Sequence, residues 1–156
     1  MPRDANATGD DPELTTNSER AVNRGFGRVL IIVYAIFALA ASARSLVQII
    51  RGFDEAPIAY SLSAVAAAVY VVATVALARG KGRSRAVAFT AIMVELVGVL
   101  TVGVLSVLFP DAFPHASVWS GFGRGYLYIP LVLPFVGLWW LWFVDRSPHR
   151  PGLAQG

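Results

Sequence analysis

Apolar residues fall in four long runs separated by short polar breaks, at about 29–50, 56–78, 86–109 and 126–144. Each run holds about 19–24 residues, and about 20 helical residues cross a hydrocarbon core of roughly 30 Å. Lipid offers no partner to an open backbone group, so such runs must be helical. A membrane β-barrel would need segments of about 10 residues alternating in polarity. VVATVALA and VGVLTVGVLSVLF do not alternate. The pattern predicts an all-α fold, a four-transmembrane-helix bundle over residues 21–146 with disordered cytoplasmic tails. Those tails, 1–20 and 147–156, are rich in Asp, Thr, Asn, Pro and Gly and carry little that is large and apolar.

A competing pattern sits in the first run. Arg20, Arg24 and Arg28 precede VLIIVYAIFA, and ALA and ASA tripeptides follow, as in a cleaved secretory signal. The apolar run continues past that point through SLVQII, and the polar leader is long and acidic, which favours a retained first span.

Composition sharpens the class. Of the 156 residues, 56% are hydrophobic and only 15% charged, with a mean hydropathy of +0.59. A soluble domain is about 45–50% apolar and about 25% charged, so a water-soluble enzyme is a poor fit. The absence of cysteine excludes disulfides, thiolate metal sites and thiol catalysis.

The net charge of +3 is unevenly placed. Arg20, Arg24 and Arg28 precede the first span. Arg79, Lys81, Arg83 and Arg85 fill the turn between the second and third, and Arg146 and Arg150 follow the fourth. The other two loops are poor in basic residues, with Arg51 offset by Asp54 and Glu55. The positive-inside rule then places both termini in the cytoplasm of a bacterial plasma-membrane protein. All basic residues but Lys81 are arginine, which with the abundance of Ala, Val and Gly suggests a GC-rich bacterial genome. The RGKGRSR turn can also meet anionic headgroups. It has no interleaved aromatics, so no nucleic-acid partner is expected.

Aromatic residues mark the expected interfaces. Trp139, Trp140, Trp142 and Phe143 crowd the cytoplasmic end of the fourth span, with Tyr126 and Tyr128 at its outer end and Tyr60 at the outer end of the second. The loop PDAFPHASVWSGFGRG is read as an interfacial hairpin with Trp119 among the headgroups; its alternative role is a lid over a polar pocket beneath. Pro130 and Pro134 are expected to kink the fourth span.

Two charges remain inside the spans, Glu95 and Arg44. A charge at the helix centre costs about 2.5–3.5 kcal/mol on the insertion scale. Glu95 shares a helix face with Ala88, Ala91, Gly98 and Val99, and Arg44 with Ala40, Ala41, Gln48 and Arg51. Counted from the span ends, their depths differ by about six residues, or roughly 9 Å. This predicts an Arg44–Glu95 pair, direct or through water, with Gln48, Tyr60, Tyr126 and Tyr128 lining a pocket around it. Three roles fit: a clamp fixing helix register, a ligand or proton site at Glu95, or contacts to headgroups or another subunit.

The second span, SLSAVAAAVYVVATVALA, offers small faces nearly all round and suits close packing on more than one side. GFGR occurs at 25–28 and again at 121–124, but the sequences that follow do not match, so no inverted repeat is inferred.

Known chemistry is absent from the sequence. His115 and His149 fall on opposite sides of the membrane and cannot share a metal. There is no H-E-x-x-H, G-x-S-x-G or phosphate-binding glycine loop. No catalytic residue, metal site or cofactor is expected.

ARSLVQI (43–49), FDEAPIAYSLSAVAA (53–67), ELVGVL (95–100), VWSGFGRGY (118–126) and PLVLPFVGLWWL (130–141) together resemble a group of uncharacterised small four-span integral membrane proteins of actinobacteria. The resemblance runs from about Arg20 to Val144. It implies a plasma-membrane location and supplies neither substrate nor catalytic residue. The expected function is an accessory or structural membrane protein without catalytic activity. Its partners would be the lipid bilayer and a larger membrane complex or a second copy. The alternative is a small transporter or proton-coupled carrier using Glu95.

Overall fold

A computed structural model describes residues 12–113 and 115–145, and these are helical with turns and no strand. Helix α1 spans Pro12–Gly52, α2 Pro57–Arg79, α3 Arg83–Leu108 and α4 Ile129–Asp145. Three of these are long and apolar enough to cross a membrane, over Arg24–Glu55, Pro57–Arg79 and Arg83–Leu108. The fourth candidate is a broken one. The segment Ser120–Tyr126 meets Ile129–Phe143 at 98°. Helix α4 alone has 17 residues, about 25 Å at 1.5 Å per residue.

Residues 12–20, read as part of a disordered tail, are instead the first turns of α1. Pro12 stands at the first helical position, where its missing N–H costs nothing, and ELTTNSERAV contains no Gly or Pro to stop propagation into the apolar stretch. The rest of the expected tails, 1–11 and 147–156, lies outside the described residues.

Buried positions recur at helical spacing. They are Leu30, Tyr34, Phe37, Ala41 and Ser45 on α1, and Ala59, Ser63, Ala66, Tyr70, Ala73 and Leu77 on α2. On α3 they are Ala88, Ile92, Glu95, Val99 and Val102, the face expected of Glu95. Opposite faces carry exposed Leu39, Ile50, Val97 and Leu108, as lipid-facing surfaces do. The alanines let α2 sit between α1 and α3 at close range. Helix α4 packs on α3 and only touches α1, where Trp140 lies against Gly27 with no room for a Cβ.

The turn between α2 and α3 works through glycine. Gly80 closes α2 in the left-handed conformation (φ 59°) and its N–H reaches Ala76 O. At this end Arg85 donates to Leu141 O at 2.6 Å, satisfying a carbonyl in the last turns of α4. The opposite end is built differently, because the loop after α3 folds back into the bundle.

Candidate functional site

Glu95 on α3 is fully buried. The Tyr34 hydroxyl on α1 donates to Glu95 Oε2 at 2.8 Å. The Tyr70 ring on α2 lies 6.2 Å from that of Tyr34. A Cβ added at Gly137 on α4 would stand 3.2 Å from the Tyr34 hydroxyl oxygen, so the absence of a side chain there makes room for the tyrosine. Glu95 Oε1 has no hydrogen-bond partner. A buried carboxyl oxygen without a partner is costly in an apolar interior, more so than any ordinary unmade bond.

The roof of this site comes from the loop. Trp119 is buried, and its ring covers Gly98, one helical turn from Glu95; a Cβ at Gly98 would fall 2.6 Å from the indole. Its Nε1–H donates to the Tyr70 hydroxyl at 3.4 Å. Val118 and Ser117 are buried with it. The expectation of an interfacial hairpin with Trp119 in the headgroups is therefore corrected: the indole plugs the bundle, as a lid would. The physical reason is the glycine at 98, which leaves a ring-sized gap that only a side chain from outside the helix can fill.

Local backbone chemistry holds the plug. The Ser117 N–H donates to Ser120 Oγ at 2.9 Å, and the Gly121 N–H to Ser106 Oγ on α3 at 2.8 Å. Gly121, Phe122 and Gly123 run left-handed (φ 56°, 60° and 78°). Leu127 and Tyr128 are left-handed as well. Such a conformation costs a non-glycine residue energy and persists only where packing over-determines it. Here Phe122 seats against Gly103, and Gly123 lies against Pro130 too closely for a Cβ. The second GFGR tetrapeptide is thus a left-handed turn, while the first is ordinary helix within α1. They share no structure.

Arg44 belongs to the loop end. Its Nη2 donates to Ala116 O at 2.6 Å and its Nη1 to the Tyr126 hydroxyl at 3.4 Å. The Tyr126 ring also lies 5.9 Å from the guanidinium carbon. The direct Arg44–Glu95 ion pair does not form. Tyr34 is the α1 residue level with Glu95, and Arg44 lies ten positions further on, about 15 Å along the helix. Counting from span ends underestimated that distance, since the first apolar helix begins at Arg24, well before residue 29.

The other pocket residues are divided. Tyr126 joins Arg44, and Gln48 sits half-buried one turn further along α1 with its Oε1 unpartnered. Tyr60 is buried with Ala56 and Ala59, its ring 5.9 Å from His115. Tyr128 is about half exposed and joins neither group. His115 approaches Glu55 at 3.8 Å, both exposed, so this contact adds little. Sequence reasoning missed Tyr34 and Tyr70, and named Trp119 as a headgroup anchor with a lid as the alternative. The available signal was the pair of tyrosines inside spans one and two, because a buried phenol needs a partner.

Among the described residues no cluster of His, Asp or Glu could hold a metal ion. No family model, curated protein or solved structure matches the chain.

Proposed function

We propose that the protein is a multi-pass plasma-membrane protein without catalytic activity, acting as an accessory or structural subunit of a larger membrane complex. The observation that carries this reading is a recess of about 440 Å³ between α2 and α3, lined by Ala68, Val72, Ala86, Thr90, Ala91 and Val94. Small side chains on two neighbouring helices let a third backbone approach closely, the usual chemistry of helix association in lipid. The recess takes a transmembrane helix of a partner. Arginine placement supports a bacterial plasma membrane with both termini cytoplasmic, and so does the resemblance to small actinobacterial membrane proteins.

The test is purification in mild detergent from native membranes, beside the variant Ala68→Trp. A stoichiometric companion that is lost on filling the recess supports the role. A chain that purifies alone and is unchanged by Ala68→Trp contradicts it.

A second reading, a proton-coupled carrier, is favoured by the partnerless oxygen of Glu95. Proton uptake by reconstituted vesicles, abolished by Glu95→Gln, would select it.

A further inference from the structure

The turn between α2 and α3 disposes of its arginines in two ways. Arg85 is half-buried and donates to Leu141 O. Arg79, at the end of α2, and Arg83, at the start of α3, are exposed and make no hydrogen bond or ion pair among the described residues. Only Gly80, Lys81 and Gly82 separate them. Both glycines are left-handed (φ 59° and 53°), so the turn stays tight and the two arginines line one crevice.

That crevice lies between α2 and α3 and encloses about 340 Å³. Val71, Val75 and Val87 form its apolar walls, and each is exposed. Ser84 lines it as well, half-buried. None of the residues lining it is acidic. The first turn of α3 holds no acidic residue either, so the helix dipole adds to the positive potential there. Val71 lies eight positions before Arg79, about 12 Å along the helix. That is most of one leaflet of a hydrocarbon core of roughly 30 Å. Two cations without a counter-ion stand at the mouth of an apolar slot one leaflet deep. The complement is an anion joined to an acyl chain.

We propose that this crevice binds one anionic phospholipid of the cytoplasmic leaflet, its phosphate between Arg79 and Arg83 and an acyl chain against the valines. Guanidinium groups match phosphate bidentately, and the Ser84 hydroxyl supplies a further donor. A soluble phosphate would leave the valine walls bare, and a partner helix would leave the arginines without a counter-ion. The inference rests on the membrane reading. It is independent of what fills the α2–α3 recess, which adjoins the crevice at Val87.

The test titrates the purified chain in detergent with phosphatidylglycerol or phosphatidylcholine of the same acyl chains, and counts bound lipid by native mass spectrometry. One phosphatidylglycerol should be retained per chain, in preference to phosphatidylcholine. Arg79→Gln and Arg83→Gln should each weaken it about tenfold, the scale of one hydrogen bond to a charged group. Lys81→Gln removes the same charge from the same turn but outside the crevice. It should weaken binding less than about threefold, as an exposed charge does. Val75→Trp keeps every charge, fills the slot and should release the lipid. Ala68→Trp, which fills the neighbouring recess, should leave the lipid bound, so the two readings fail separately. Equal weakening by Lys81→Gln and the arginine variants would mean diffuse attraction and overturn the proposal. So would equal retention of the two lipids. Displacement of the lipid by millimolar glycerol 3-phosphate would make soluble phosphate the ligand and overturn it too.

Discussion

Glu95 and Arg44 carry opposite charges in the same bundle and are accommodated in different ways. Arg44 has a long stem and reaches a loop carbonyl and a phenol at the bundle's end, as long cationic side chains do near helix ends. Glu95 is short and deep, and a neutral phenol is brought to it. Tyr34→Phe keeps the ring and removes the donor, so it should lower stability by about 1–3 kcal/mol. Thermal unfolding in detergent would read this as a fall in midpoint. Arg44→Gln should cost less, because its contacts lie at the loop end; equal losses for the two variants would contradict the separation of the sites. The sequence named both charges and the small face around Glu95. It could not supply their partners, because a tyrosine 61 residues away becomes a neighbour only through helix packing.

At the scale of elements, α2 and α3 lie close to where their apolar runs place them, while α1 starts well before its run. The loop after α3 was harder to read. A tryptophan between prolines and glycines looks like an interface anchor, and its burial depends on a gap at Gly98 in another helix. Filling that gap tests the packing. Gly98→Leu should unseat Trp119 and destabilise by about 1–3 kcal/mol, as overpacking does. It should also raise the labelling of a cysteine placed at Val118. The left-handed turn gives a second comparison. Gly123→Ala strains a φ of 78° and meets Pro130, whereas Gly125 faces open space. The first substitution should cost about 1 kcal/mol or more and the second stay within about 0.5 kcal/mol of the parent. Matching midpoints for the two would show that the turn is not built as described.

At the scale of the whole molecule, three helices suited to a membrane and a fourth candidate bent through 98° between Ser120–Tyr126 and α4 make a chain whose crossings can be counted. Arginine distribution predicts an even number, with both ends and the 79–85 turn on the cytoplasmic side. The shortness of α4 makes its crossing the decisive one. Single cysteines at Thr8, Lys81, His115 and Gln155, probed in intact cells with a membrane-impermeant maleimide, test it directly. The expected result is labelling at His115 alone, with the other three reacting only after the membrane is opened. Labelling at Gln155 from outside while Thr8 stays protected would mean that α4 does not cross, and would contradict the four-crossing bundle.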